Sequence, residues 1–169
     1  MVIVGIDPSL TCTGYAALVG RDIVGAGRIR PAGQRGGCAL GPDDRAWDIA
    51  QQAGQACRDL AAQAGEAVCV VVEIPAGQSP ARGRRGQAIY GYAVGVLVGS
   101  LRSWSADLGL TRVDTVPADV WTRGRPKRAR AETVRAAHPE IDWAADHGHD
   151  VADAVGLAEW WQVESVITG

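Results

Sequence analysis

The chain contains no phenylalanine, one methionine and one lysine. It also lacks any run of about 20 apolar residues, which argues against a transmembrane helix and against a membrane partner. No basic segment followed by an apolar stretch opens the chain. A strand-like pattern begins at once, so a targeting leader is not expected and a cytoplasmic protein is. Cys12, Cys38, Cys57 and Cys69 form no C-x-x-C pair and show no paired spacing with histidine, so neither a zinc site nor a redox motif is supported. They read as reduced thiols acting as small apolar residues. Strong charge imbalance is absent too. The formal charge of -2 would ordinarily argue against a nucleic-acid partner, but net charge conceals local clustering. No internal repeat is visible, and 169 residues suit one compact domain spanning 1–169.

What is present divides into strands and helices in a definite order. Residues 2–6 are apolar, Thr13–Val19 is a second strand candidate and Ile23–Ile29 a third, with Arg21-Asp22 and glycines at the turns. Arg30–Gly41 is rich in glycine and proline, has no periodicity and is expected to be loop. Apolar residues at Ala46, Ile49, Ala50, Ala53, Cys57, Leu60 and Ala64 recur at helical spacing. Val68–Ile74 is a continuous apolar run, the pattern of a central strand covered on both faces. After a glycine- and arginine-rich break, Gln87–Asp107 reads as a helix and Arg112–Val116 as a fifth strand. Arg130–Ala137 is expected to be a short helix ending before Pro139, and His149 to about Gln162 the last one. Three strands, helix, strand, helix, strand, helix is an α/β order that resembles the ribonuclease H-like fold, with a five-stranded mixed sheet.

Carboxylates stand where this scheme ends its strands. Asp7 follows the first strand, Glu73 lies at the end of Val68–Val72, and Asp150 and Asp153 share one face of the last helix. A carboxylate at the end of an apolar strand is costly to desolvate unless it is paired, hydrogen-bonded or bound to a metal. Two carboxylates three residues apart also repel each other unless a cation intervenes. An oxygen-only cluster suits Mg²⁺ or Mn²⁺. Two such ions per site, about 3.5–4 Å apart, could activate water and stabilise the leaving oxygen of a phosphodiester.

Ile6-Asp7-Pro8-Ser9-Leu10 with Thr13-Gly14-Tyr15, then Val-Val-Glu73, and finally Asp150-Val-Ala-Asp153-Ala resemble the motifs of RuvC-type Holliday junction resolvases. The likeness extends through Gly86-Gln87 and through Val116-Pro117 to the segment holding Lys127. It implies a homodimeric, metal-dependent endonuclease that resolves four-way DNA junctions, with Asp7, Glu73, Asp150 and Asp153 holding the ions. The setting it implies is the cytoplasm, in a nucleoid-associated or phage-encoded role. Ser9 stands where the family more often has glycine. With no phenylalanine, an aromatic wedge at the junction would have to come from another residue, with Tyr90 and Tyr92 the nearest candidates. His147 and His149, just before the acidic helix, are candidate auxiliary residues for a water or phosphate.

Two basic groups flank the acidic residues. Arg82, Arg84 and Arg85 follow Glu73 in sequence, while Arg123, Arg125, Lys127, Arg128 and Arg130 precede the last helices. Both are expected to contact phosphates, which position DNA without reading its sequence. Gly91, Gly95 and Gly99 recur at every fourth residue, so either packing on the sheet or a dimer contact is expected there. The competing readings are a related nuclease acting on RNA or other branched DNA, and a non-catalytic junction-binding protein. Gly-x-Asp also opens the nucleotide-binding domains of the actin and sugar-kinase group, but these need two such domains and phosphate loops that the chain lacks.

Overall fold

The computed structural model describes residues 1–35, 38–76 and 83–168. In chain order the elements are β1 (Val2–Asp7), β2 (Thr13–Val19), β3 (Asp22–Ile29), β4 (Gln34–Arg35), β5 (Cys38–Ala39) and α1 (Pro42–Ala64). There follow β6 (Val68–Ile74), α2 (Gly83–Ser103), β7 (Leu110–Pro117), α3 (Ala118–Thr122), α4 (Lys127–Ala137) and α5 (Asp150–Thr168). The main sheet has the order β3-β2-β1-β6-β7, and β4 and β5 form a separate small ribbon. β1 runs antiparallel to β2 and parallel to β6, and β7 continues the parallel half. This is the expected α/β scheme with a mixed five-stranded sheet.

Alternation along the strands builds two cores. Val2, Val4, Ile6, Val68, Val70 and Val72 face α1 and α2. Ile3, Cys69 and Val71 face the other way, against Ala154, Val155 and Ala158 of α5. Because β1 and β6 are covered on both faces, their apolar runs are continuous rather than alternating. α1 starts with Pro42 and carries Asp43 and Asp44 in its first turn, where the positive end of the helix dipole favours them. Gly65 closes it in the left-handed conformation, donating its N–H to Ala61 O.

Two glycines set the depth of α5. A Cβ on Gly5 of β1 would lie 2.2 Å from Ala154 O, and one on Gly14 of β2 would lie 2.1 Å from Asp150 O. No side chain fits at either place, so the backbone of α5 rests directly on β1 and β2. The acidic first turn of the helix is thereby brought to the end of β1.

Several boundaries differ from the sequence expectation. α2 begins at Gly83 rather than Gln87, so Arg84 and Arg85 belong to its first turn and not to a loop. It ends at Ser103, four residues before the expected Asp107, and Trp104–Gly109 turn the chain into β7. α4 begins at Lys127, directly after Pro126, which makes Lys127 its first residue. The short helix α3 and the β4–β5 ribbon were not apparent from residue patterns. Arg82 lies outside the described residues.

The glycine repeat of α2 does not pack on the sheet. Gly91, Gly95 and Gly99 are exposed, and a Cβ on any of them would meet nothing within 4 Å. Tyr92, 49% exposed, stands on the same helix. Tyr90 is instead buried in the core beside Val94 and Leu97. That burial removes Tyr90 as a candidate wedge.

Candidate active site

The parallel register pairs Ile6 of β1 with Val72 of β6, so the next residues, Asp7 and Glu73, stand side by side at the carboxyl ends of the central strands. The turn after Asp7 is closed by Thr13, whose Oγ1 donates to Ser9 O at 2.8 Å and accepts from Ser9 N at 3.0 Å. Ser9 therefore serves the turn without needing the conformational freedom of glycine. α5 supplies Asp150 and Asp153 from its first turn, a position the helix dipole favours for acidic residues. That turn is tied down by Asp146, whose carboxylate accepts the N–H groups of Val151 at 3.0 Å and Ala152 at 3.2 Å. Arg135 of α4 reaches back with Nη2 to Asp146 O at 2.7 Å and to His149 Nδ1 at 2.8 Å.

Two cations from α4 stand among the four carboxylates. Lys127 Nζ lies 2.9 Å from Asp7 Oδ2, 2.9 Å from Asp150 Oδ1 and 3.4 Å from Asp153 Oδ2. Arg130 donates from Nε to Asp153 Oδ1 at 3.1 Å and from Nη2 to Asp153 Oδ2 at 2.7 Å. Its guanidinium carbon is 4.8 Å from the centroid of the Trp121 ring. The Trp121 indole donates in turn to Glu73 Oε2 at 2.8 Å. Asp7, Glu73, Asp150 and Asp153 are thus brought together as expected. Among the described residues, however, no group of three or more His, Cys, Asp or Glu side chains is set out as a ready-made metal site. Lys127 and Arg130 hold the three aspartates instead, and the Trp121 indole holds Glu73.

The electrostatics follow from burial. Removal from water pushes the Asp7 carboxyl up to about 7, against the pull of Lys127, with the charges of Glu73 and Asp153 adding to the rise. Burial also raises Glu73, although the Trp121 N–H favours its ionised form. For Lys127, burial alone would favour loss of the proton. Asp7 and Asp150 outweigh it and hold the ammonium well above the ordinary lysine range. Burial is thus the leading reason that Asp7 and Glu73 stand above the ordinary carboxyl range.

The remaining expected residues are spread around this centre. Arg123 and Arg128 project into solvent in surface pairs with Glu164 at 3.3 Å and Glu132 at 2.9 Å. Arg125 donates to Thr133 Oγ1 at 2.9 Å. Arg130 departs from expectation: only 14% of its side chain is exposed, and it serves Asp153 rather than presenting a free guanidinium to DNA. Arg85 is exposed at the start of α2. His147 is exposed, whereas His149, with φ of 61°, is held by Arg135. Sequence reasoning missed Trp121, Asp146 and Arg135. Asp146 did leave a signal, an acceptor side chain a few residues before an acidic helix start. Trp121 left none, since its role depends on α3 folding back over the end of β6.

No family model matches the chain, and no curated protein matches it. Solved structures do. Thermus thermophilus RuvC in complex with a Holliday junction substrate superposes with a TM-score of 0.67 at 18% identity, covering 99% of this chain and 97% of that one. The fold is that of RuvC. A second Thermus thermophilus RuvC structure agrees, with a TM-score of 0.66, 17% identity and the same coverage. The RuvC fold thus spans essentially the whole chain, and the acidic cluster lies at the carboxyl ends of its two central strands.

Proposed function

We propose that the chain is a divalent-metal-dependent endonuclease that resolves four-way DNA junctions. The observation that carries this reading is the convergence of Asp7, Asp150 and Asp153 on one exposed ammonium group, at the strand ends of a fold shared with a junction-bound nuclease. The donor set fits a hard cation: it is all oxygen and largely buried, and that burial is the main cause of the elevated Asp7 carboxyl. Asp7, Glu73 and Asp150, with Asp153 beside them, would hold Mg²⁺ or Mn²⁺. When bound, such an ion makes water a stronger acid and offsets charge building on a phosphodiester.

The chain's own groups do the rest. Lys127 is 40% exposed and carries its ammonium at the mouth of the cluster, where it can turn from the carboxylates to a non-bridging phosphate oxygen. Trp121 and Arg130 fix Glu73 and Asp153 in place and offset the repulsion between these carboxylates. Arg123 and Arg128 give up weak surface pairs to bind phosphates along the DNA arms. A junction has two strands to cut, and a two-fold dimer supplies two such sites. The open glycine face of α2, with Tyr92 beside it, is the surface on which a second copy would pack closely.

The test compares a synthetic four-way junction, a flap, a linear duplex and structured RNA with Mg²⁺ or Mn²⁺. Paired nicks in the junction, with little cutting of the duplex, are expected. A preference for RNA, or no cleavage of any substrate, would overturn the proposal.

A further inference from the structure

Arg130 differs from its basic neighbours in every respect that matters for mobility. Lys127 is a flexible, partly exposed ammonium making single contacts to three carboxylates. Arg130 makes a two-point contact with a carboxylate that is 2% exposed. Its flat face lies on Trp121, and its Nη1 donates to Arg125 O. Charge-assisted bidentate pairs are the strong class of hydrogen bond, and the aromatic face adds cation–π attraction. A divalent ion that took Asp153 would leave this guanidinium buried without its acceptor, the costly way to break an ion pair.

We infer that the site takes one divalent ion, held by Asp7, Asp150 and the Glu73 oxygen that Trp121 leaves free, and that Arg130 provides through Asp153 the charge of a second. Arg130 and Trp121 are positioning residues on this account. The inference replaces the two-ion expectation and rests on the metal-dependent reading proposed above.

The experiment counts Mn²⁺ bound to the full-length chain, by calorimetry and by the loss of free-ion paramagnetic resonance signal. It is run with the protein alone and with thymidine bisphosphate as the phosphate ligand, corrected for Mn²⁺ bound by the nucleotide itself. One ion per chain is expected in both cases, and two ions in either would overturn the inference. No bound Mn²⁺ at all would overturn the metal reading itself, a different outcome. Arg130→Gln, which frees Asp153 and removes the guanidinium, is expected to raise the count to two, while Arg130→Lys keeps it at one. A count of one in folded Arg130→Gln would refute the substitution of charge. Trp121→Phe, which keeps a ring under Arg130 but removes the N–H to Glu73, is expected to weaken Mn²⁺ binding about fivefold without changing the count. Unchanged affinity would refute the Trp121 role. If Arg130→Gln fails to fold, the wild-type and Arg130→Lys counts decide the matter.

Discussion

Replacing Asp7 with asparagine should make the metal-free protein more stable at pH 8, although it removes a partner of Lys127. Burial raises the Asp7 carboxyl from 3.8 to about 7. Between those values the folded protein holds the proton that the unfolded chain releases, so this group's contribution is full below the lower value. It is lost as pH rises through the upper one. A difference of roughly 3 pH units corresponds to about 4 kcal/mol. Lys127 is partly exposed and can relax toward the ionised carboxylate, so about half of that, ~2 kcal/mol, is the expected effect. For a chain of this length such a change moves the melting temperature by about 4–8 °C. The assay is a thermal melt in EDTA at pH 5 and pH 8, for wild type and Asp7→Asn. His138 also loses stabilisation as pH rises, because burial opposes its charge but Glu159 at 2.8 Å and Glu140 at 3.1 Å raise its pKa. The informative quantity is therefore the difference between variant and wild type, which should grow in favour of the variant from pH 5 to pH 8. A difference that is flat with pH, or that moves the other way, would refute the claim that Asp7 is held ionised at a cost.

Gly14→Ala should destabilise the fold by about 1–3 kcal/mol, since the new Cβ meets the backbone of Asp150 and Val151 rather than a movable side chain; a chemical denaturation curve measures it, and an unchanged midpoint would contradict the seating of α5. Gly95→Arg should leave the monomer folded, because nothing lies within 4 Å of its Cβ, but should abolish dimers in sedimentation. Dimers that persist would move the two-fold contact away from α2. Removing the Arg123, Arg125 and Arg128 guanidinium groups together should lower the salt dependence of junction binding by about 2–3 in log–log slope, if each meets one phosphate of duplex DNA. An unchanged slope would place the DNA path elsewhere.

Much of this architecture was legible in residue patterns. Thr13–Val19 and Val68–Ile74 matched their strands to the residue, because largely apolar runs bounded by turn residues respond directly to the covering of the sheet on both faces. The first turn of α2 was missed because Gly83-Arg84-Arg85-Gly86 has the composition of a loop, and a helix holds it all the same. Asp7, Glu73, Asp150 and Asp153 were identifiable because strand ends and a three-residue helical spacing can be read without coordinates. Their partners were not. Lys127 stands out in its basic run as the one lysine, but Arg130 does not differ there from Arg123, Arg125 and Arg128, and only the start of α4 at Lys127 aims Lys127 at the mouth of the cluster and Arg130 at Asp153. The Trp121–Glu73 bond joins residues 48 positions apart through a five-residue helix that has no periodic signature.

The central claim is that Asp7, Glu73 and Asp150, with Asp153 beside them, form a divalent-metal site acting on branched DNA. It is tested most directly by following a labelled four-way junction with wild type and Asp7→Asn, with Mn²⁺ and with EDTA. The account predicts symmetric nicks only from wild type with Mn²⁺, while the variant binds the junction with undiminished affinity in EDTA. Cleavage by Asp7→Asn, or cleavage by wild type in EDTA, would contradict it.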